Sequence, residues 1–179
     1  MDYYKRANEL KEDTIEIRRY LHKNAEVGSD LPNTVEYVMK QLKEYGIQPQ
    51  LCGHGVTATI GKGKPVILLR ADMDALPITE LSGEEFTCTS GNMHACGHDI
   101  HTAALLLAAR ILGGIKKDLA GTVLFLFQPA EEKLNGSQSV IDSGLFEKYQ
   151  PDFAVGLHCW PDLPAGTVGV RSGSFMASS

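Results

Sequence analysis

Short apolar runs alternate with helical repeats along much of the chain. The runs cover residues 66–70, 122–128 and 153–157, and each has glycine, proline or aspartate close to its ends. Between them, two stretches at 102–112 and 137–143 carry helical spacing, and each is followed by a glycine. Apolar runs without alternation are typical of strands that are buried on both faces. The order therefore predicts an α/β fold in which helices cover both sides of a sheet.

Two helices are expected before the first strand. Apolar side chains recur every three or four positions over residues 3–21, which predicts one long first helix. A second helix is expected after Pro32, with Asn33 or Thr34 as its N-cap. It should end at Gly46, because glycine adopts the left-handed conformation that often follows a helix.

The next two apolar runs are expected to pair with each other. Residues 56–60 and 66–70 are β-branched or aliphatic, and the segment GKGKP separates them at 61–65. This segment is rich in turn-forming residues and has the length of a hairpin connection. The pattern therefore predicts a β-hairpin.

Composition limits the partners that this chain can have. Lys and Arg number 17 against 22 Asp and Glu, and no basic cluster is present, which argues against nucleic acid. The apolar stretches are much shorter than the roughly 20 residues that cross a membrane. The sequence also begins without a secretory signal, so we expect a cytoplasmic protein. Four cysteines at scattered spacing favour free thiols or metal ligands over disulfides.

Polar side chains follow three of the predicted strands. Asp72 and Asp74 follow the first strand, Glu131 and Glu132 follow the second, and His158 follows the third. Ligands of open α/β sheets bind at the carboxyl ends of the strands. We therefore expect these side chains to share one site.

A loop before the predicted helix at 102–112 is rich in metal-binding groups. Residues 93–103 read MHACGHDIHTA and contain three imidazoles, a thiol and a carboxylate. Thiolate, imidazole and carboxylate are the usual ligands of zinc, and Cys96 and His98 can converge from one turn. The alternative is a polar loop in which one histidine caps the helix. For Cys96 alone, a small buried side chain is the alternative.

The carboxylates after the strands allow two interpretations. Glu131 and Glu132 repel each other unless a cation or a proton is present. In an extended chain they point in opposite directions, so that one can bind a metal while the other faces a substrate. The alternative is a solvated acidic turn. Asp74 is suited to support a ligating histidine, whereas a turn or an ion pair with Arg70 is the alternative for Asp72 and Asp74.

The remaining histidines carry weaker signals. His158 is as consistent with a structural role as with metal binding when it is taken alone. His22 and His54 are expected to be surface or turn residues without a functional role.

Five motifs together resemble a known family. They are, in order, RYLHKNAEVG at 19–28, RADMDALP at 70–77, MHACGHDIHTA at 93–103, QPAEE at 128–132 and GLH at 156–158. In this order they closely resemble the metal-dependent aminoacylase family of hippurate hydrolases, N-acyl-amino-acid amidohydrolases and auxin-conjugate hydrolases. The resemblance implies a three-layer α/β/α catalytic domain of the zinc-exopeptidase type, with a largely parallel mixed sheet.

The resemblance also implies the roles of individual residues. Four side chains would bind two divalent ions, which are zinc, manganese, cobalt or nickel: Cys96, His98, Glu132 and His158. Glu131 would be the general base, and Asp74 would support the centre from behind. The implied reaction is hydrolysis of an N-acyl amino acid, in which a metal-held water attacks the acyl carbonyl and Glu131 transfers its proton to the departing amine. Asp72 and Asp99 are weaker candidates as ligands.

Members of the family are roughly twice as long as this chain. We therefore expect residues 1–170 to form the N-terminal part of the catalytic domain, and 171–179 to begin the crossing to an absent lid domain. The lid would form a homo-oligomer in the full-length protein, and the chain alone would have weak or no activity. Two alternatives remain within the enzyme class, an N-acetyl-diaminopimelate deacetylase and a dipeptidase. An alternative of another class is a non-catalytic zinc-binding module, whose site would be closed by four protein ligands.

Overall fold

A five-stranded mixed sheet forms the centre of the fold in a computed structural model, which describes residues 1–174. The strands are β1 (Pro49–Cys52), β2 (Gly55–Lys62), β3 (Val66–Asp72), β4 (Gly121–Gln128) and β5 (Phe153–Gly156). They lie in the order β1-β2-β4-β3-β5. β3 runs parallel to both β4 and β5, whereas β2 runs antiparallel to β1 and β4.

Helices cover both faces of this sheet. They are α1 (Tyr3–Glu9), α2 (Lys11–Lys23), α3 (Pro32–Glu44), α4 (His98–Gly113), α5 (Gly136–Asp142) and α6 (Leu145–Tyr149). Successive side chains of β4 point to opposite faces, so Phe125 packs in a core with α2, α3 and α4, including Leu106. Leu124 packs in a second core with Val140 of α5 and Leu145 of α6. The predicted three-layer α/β/α fold is confirmed.

The prediction of one long first helix is wrong. The helix breaks at Leu10, which has φ −101° and ψ 10°, and α1 and α2 lie on either side of it. Leu10 is buried, whereas α1 itself buries no residue. The break therefore brings one apolar side chain into the core while the three- and four-residue spacing continues through it, which is why the spacing did not reveal it.

The start of α3 differs from the prediction, while its end agrees. The N-cap position is Leu31, and neither Asn33 nor Thr34 caps the helix. The Glu26 carboxylate accepts the backbone N–H groups of Asn33 at 3.2 Å and Thr34 at 2.8 Å, so an upstream residue supplies the cap. Gly46 follows the helix with φ 69°, as predicted.

The predicted hairpin is also wrong. β4 lies between β2 and β3 and pairs with each along its length. β2 instead forms a hairpin with β1, a short strand that the sequence pattern did not indicate. Residues 124–128 of the apolar strand β4 are buried, as expected for a strand that has a neighbour on each side.

β5 is an edge strand rather than a buried one. All four of its residues are exposed, which contradicts the prediction that it is buried on both faces. Within residues 1–174, β3 is its neighbour in the sheet. The run of apolar residues correctly predicted a strand, but it did not predict that this strand lies at the exposed edge of the sheet.

Other sequence-based expectations concern termini, membranes and cysteines. None of the helices in residues 1–174 has the length and apolar character required to span a bilayer. All four cysteines are free thiols, as predicted. The domain boundary at residue 170 stays a prediction, and positions 175–179 of the predicted crossing segment lie outside the described residues.

Candidate metal centre

The carboxyl ends of β3, β4 and β5 meet at one edge of the sheet because these strands are parallel. The N-terminus of α4 reaches the same edge. This arrangement brings five side chains together, which we call the candidate metal centre: Cys96, His98, Glu131, Glu132 and His158. The donor atoms of Cys96, His98 and His158 all lie within 4.8 Å of one another, and so do those of His98, Glu131 and Glu132. Of the residues expected to share one site, Glu131, Glu132 and His158 thus lie in the centre, whereas Asp72 and Asp74 border it.

His98 is buried at the first position of α4. Its Nδ1 lies 2.8 Å from the carbonyl oxygen of Asp74, which can only accept, so Nδ1 carries the proton. Nε2 therefore keeps its lone pair. This atom is buried and has no hydrogen-bond partner in the described residues. Burial alone would lower the pKa of His98, but the hydrogen bond to Asp74 and the charges of Asp72 and Asp74 raise it.

The two glutamates approach His98 from the turn after β4. Glu131 Oε2 and Glu132 Oε1 each lie 3.7 Å from His98 Nε2. Glu132 Oε1 is also buried without a partner among the described residues. Glu131 is the more accessible, with 37% of its side chain exposed against 20% for Glu132, so it faces the space that a substrate can enter.

Asp74 fixes the turn that carries both glutamates. Its carboxylate accepts the backbone N–H of Glu131 at 2.9 Å and that of Glu132 at 3.1 Å. Ala130 precedes them with φ 51°, a left-handed conformation that residues with a Cβ rarely adopt. The turn is therefore held by the buried Asp74, and a role of Asp74 in supporting the centre stays a prediction.

Cys96 and His158 close the opposite side of the centre. Cys96 Sγ lies 3.5 Å from His158 Nε2, and His158 Nδ1 lies 2.7 Å from the carbonyl oxygen of Cys159. His158 thus also carries its proton on Nδ1, and its unprotonated Nε2 faces the Cys96 thiol. Burial and the nearby charge of Glu132 raise the pKa of the Cys96 thiol to about 12. A divalent cation at this thiol would favour the thiolate instead.

Asp72 lies 3.7 Å from His98 Nε2 and forms a candidate ligand group with His98 and His101, but its carboxylate also has two close partners. Its carboxylate lies 2.6 Å from Arg70 Nη1 and 2.6 Å from His101 Nδ1. Burial raises the pKa of this carboxyl, but the hydrogen bond with His101 and the charge of Arg70 outweigh it and hold the pKa well below its usual range. The alternative of an ion pair with Arg70 is therefore confirmed for Asp72.

Sequence reasoning missed a buried polar network beside the centre. His22 was predicted to be a surface or turn residue, which is wrong: it is buried, with Nδ1 2.8 Å from Asp99 and Nε2 3.0 Å from Glu80. Asp99 also accepts Arg18 Nε at 2.7 Å. Arg18 and His22 share one face of α2 because they are four residues apart, which is the only sequence signal for the pair. His54 is exposed in a turn, as predicted.

Asp99 and His94 belong to the same region but not to the centre. Among the described residues, neither is part of a candidate ligand group. His94 is buried, and burial lowers its pKa to about 4, so it stays neutral. The weaker candidacy of Asp99 as a ligand therefore gains no support from the geometry.

The donor atoms of the centre fit a divalent cation. A thiol, two imidazoles with an unprotonated Nε2 and a carboxylate are groups that bind zinc and related metals. Both histidines donate their other ring N–H to a backbone carbonyl, which is the usual support of a metal-binding imidazole. Five buried side-chain atoms have no partner among the described residues: two on His94, one on Asp99, one on His98 and one on Glu132. Those of His98 and Glu132 lie in the centre, where a cation would satisfy them.

A family model described as peptidase family M20/M25/M40 matches residues 68–175, which is more than half of the chain. The chain belongs to this M20 family. The match contains four of the five motifs, and it confirms the resemblance to metal-dependent aminoacylases at the level of the family.

Several M20 relatives are similar over nearly the whole of this chain. N-acetyl-L-cysteine deacetylase of Bacillus subtilis is 45% identical over an alignment of 174 residues, which covers 94% of this chain and 41% of the relative. Hippurate hydrolase of Campylobacter jejuni is 39% identical and covers 96% of this chain and 45% of its own length. The chain therefore spans less than half the length of these relatives.

A solved structure shows the same arrangement of the chain. The Bacillus subtilis YXEP protein, described as a dinuclear metal-binding peptidase from the M20 family, superposes with a TM-score of 0.87 and 38% identity. The superposition covers 93% of this chain and 48% of that one. The fold of the M20 catalytic domain is thus established for this chain.

Proposed function

We propose that this chain provides the metal-binding part of an amidohydrolase that cleaves N-acyl amino acids with two divalent ions. The observation that carries the proposal is the pair of buried, unpartnered atoms on His98 and Glu132, next to the contact between Cys96 and His158. The names of the M20 relatives support the substrate class, since they include a deacetylase of N-acetyl-L-cysteine and a hippurate hydrolase.

His98 belongs to two groups of possible ligands, and its one unprotonated nitrogen, Nε2, can bind only one of the two ions. Cys96, His98 and His158 form one group, and Glu132 lies with His98 in the other. The thiol and the imidazoles suit zinc, cobalt or nickel, while the carboxylate also suits manganese. When bound, such ions polarise the acyl carbonyl and lower the pKa of water, which makes hydrolysis possible at neutral pH.

Glu131 is proposed as the general base. Its carboxylate is partly exposed beside His98, so it can reach both the centre and an incoming substrate. It takes a proton from the attacking water while the new C–O bond forms. It then gives that proton to the amide nitrogen as the C–N bond breaks, and the products are a carboxylate and a free amino acid.

Asp74 and the backbone keep these groups oriented. Asp74 holds the N–H groups of Glu131 and Glu132, and its carbonyl fixes the proton of His98 on Nδ1. The centre therefore has the orientation that the reaction needs before substrate arrives. Preorganised groups of this kind do not have to be rearranged during the reaction.

A chimera tests the proposal because the relatives supply the rest of an enzyme. The matching region of the Bacillus subtilis N-acetyl-L-cysteine deacetylase, 41% of that protein, is replaced by this chain. Hydrolysis of N-acetyl, N-benzoyl and dipeptide substrates is then measured. We expect cleavage of N-acyl amino acids. Glu131→Gln in the chimera should lower kcat by about 10²–10⁴-fold at unchanged metal content.

Other outcomes distinguish the alternatives. A preference for N-acetyl-diaminopimelate or for dipeptides would identify one of the other two enzyme classes. One tightly bound ion with four protein ligands and no hydrolysis would identify a structural zinc module. A folded chimera that binds two ions but cleaves none of the substrates would overturn the proposed activity.

The cytoplasmic location and the homo-oligomer formed through a lid stay predictions.

A further inference from the structure

His101 contacts two separate segments from one turn inside α4. It is buried, with Nδ1 2.6 Å from Asp72 Oδ1 at the end of β3. Its Nε2 accepts the backbone N–H of Cys159 at 2.9 Å. The ring therefore links the core of the sheet to the segment that follows the exposed strand β5.

These contacts settle which nitrogen of His101 carries the proton. A backbone N–H can only donate, so Nε2 must be the unprotonated acceptor. Nδ1 then carries the proton and donates it to Asp72, whose other oxygen is held by Arg70. Both ring nitrogens are thus in use.

His101 differs in this respect from the two histidines of the candidate metal centre. His98 and His158 each donate from Nδ1 to a carbonyl, so Nε2 is unprotonated in both. Nε2 of His98 has no partner among the described residues, and Nε2 of His158 faces the Cys96 thiol, whereas Nε2 of His101 accepts a backbone N–H. His101 lies among the same donors, within 4.8 Å of those of His98 and Asp72 in one group and of His158 and Cys159 in another. Its lone pair is nevertheless occupied by the Cys159 amide, so proximity alone does not make it a ligand.

Cys159 connects His101 to His158 through its own peptide groups. Its N–H binds His101 Nε2, and its carbonyl accepts Nδ1–H of His158. The rings of His101 and His158 lie with centroids 4.6 Å apart in an edge-on arrangement. The position of the Cys159 backbone therefore links the orientation of the His158 ring to that of His101.

We propose that His101 is a positioning residue that fixes the Cys159 backbone and so directs Nε2 of His158 toward Cys96. The importance of His158 rests on the proposed function, in which it binds metal. The hydrogen bond between His101 and Cys159 does not rest on the proposed function, because it forms in the chain without metal.

Two substitutions separate the two contacts of His101. In His101→Gln the side-chain carbonyl reaches the position of Nε2 and can accept the Cys159 N–H. In His101→Asn the shorter amide reaches only the position of Nδ1, so it can donate to Asp72 but cannot reach Cys159. The two variants are a matched pair of polar, uncharged side chains.

The first readout is amide hydrogen exchange of Cys159 in the metal-free chain, followed by NMR. We expect slow exchange in the wild type and in His101→Gln, and exchange at least about 10-fold faster in His101→Asn. The amide of Ile47, which binds the Leu42 carbonyl at 2.9 Å after α3, is the internal control and should not change.

The second readout is titration with Co²⁺, followed by the sulfur-to-cobalt and ligand-field absorption bands. We expect His101→Gln to retain the wild-type spectrum and His101→Asn to weaken Co²⁺ binding by about 10–100-fold. If His101 were itself a ligand, both variants would lose binding equally while the Cys159 amide stayed protected in His101→Gln, and the proposal would be overturned.

The proposal and the proposed function fail in different ways. Equal Cys159 exchange in His101→Asn and the wild type would overturn the positioning role. Absence of Co²⁺ binding in the wild type, with exchange as expected, would overturn the metal function and leave the link intact. Should the variants not fold, the long-range ¹⁵N–¹H NMR spectrum of the wild type decides instead: a proton on Nδ1 of His101 supports the proposal, and one on Nε2 overturns it.

Discussion

His98 Nε2 lies 3.7 Å from Glu132 Oε1, and neither of these buried atoms has a hydrogen-bond partner in the described residues. A buried polar atom without a partner costs about 1–3 kcal/mol. A cation that both atoms can bind would remove this cost. The pair therefore couples metal binding to the stability of the fold.

We predict that divalent metal stabilises the chain against unfolding. At a free Zn²⁺ concentration of 100 times Kd, the free energy of unfolding should rise by about 2.7 kcal/mol, and EDTA should reverse the gain. Thermal unfolding followed by circular dichroism measures the shift. His98→Ala should abolish it, whereas His54→Ala, at an exposed turn, should retain it. A shift of equal size in both variants would place the metal elsewhere.

Cys96→Ala is expected to lower the metal content of the chain, because it removes the thiol that lies against His158. Elemental analysis after dialysis against limiting zinc measures the metal bound per chain. Cys52→Ala is the matched control. Cys52 is a buried thiol in the core that β4 forms with α5 and α6, and it contacts the Ser143 hydroxyl. Equal metal content in the two variants would exclude Cys96 as a ligand.

Asp74→Ala should weaken both the fold and metal binding. The substitution leaves the N–H groups of Glu131 and Glu132 without their acceptor, and we expect a loss of about 1–3 kcal/mol in the free energy of unfolding. Urea unfolding measures the loss, and zinc titration should show weaker binding. Asp162→Ala, at an exposed position, should do neither. Wild-type zinc affinity in Asp74→Ala would show that this turn does not orient the ligands.

The buried network around His22 predicts a pH-dependent effect of Glu80→Gln. Burial raises the pKa of Glu80, but hydrogen bonds from Ser82, the Cys88 N–H and His22 outweigh it and lower the pKa to about 2. Since the folded pKa lies below the unfolded value of 4.5, the ionised carboxylate stabilises the fold above pH 4.5. That stabilisation is lost as the pH falls toward 2.

Glu80→Gln should therefore be less stable than the wild type at pH 7, and the difference should shrink between pH 4.5 and pH 3. Urea unfolding at the three pH values measures it. Glu84→Gln, at an exposed position of the same loop, should behave like the wild type throughout. A difference in the free energy of unfolding that stays constant with pH would mean that the charge of Glu80 does not stabilise the fold.

Local patterns in the sequence predicted the parts of the centre but not all of their surroundings. The apolar runs predicted β3, β4 and β5, and the residues after them converge because these strands are parallel. The position of β4 between β2 and β3 was not predictable. The turn-rich linker at 61–65 allows β2 and β3 to pair with each other, but it does not exclude a third strand between them. The exposure of β5 depends on which other segments pack against it, and its own apolar sequence gives no information about those segments.

The missed residues owe their roles to contacts between distant segments. His22 is buried because Glu80 and Asp99 come to it from 58 and 77 residues away along the chain. The contact of His101 with Cys159 likewise joins residues 58 positions apart. The sequence near these histidines offers little to distinguish them from solvated ones; for His22 the one signal is Arg18, four residues earlier on the same face of α2. The motif order could identify the family, but only the fold assigns each imidazole its partner.

The most direct test of the central claim is anomalous X-ray diffraction from crystals of the chain loaded with zinc, collected at the zinc absorption edge. The account predicts anomalous peaks within about 2.0–2.3 Å of Cys96 Sγ, the Nε2 atoms of His98 and His158, and a Glu132 carboxylate oxygen. Full zinc occupancy at other residues, with none at these four, would contradict it.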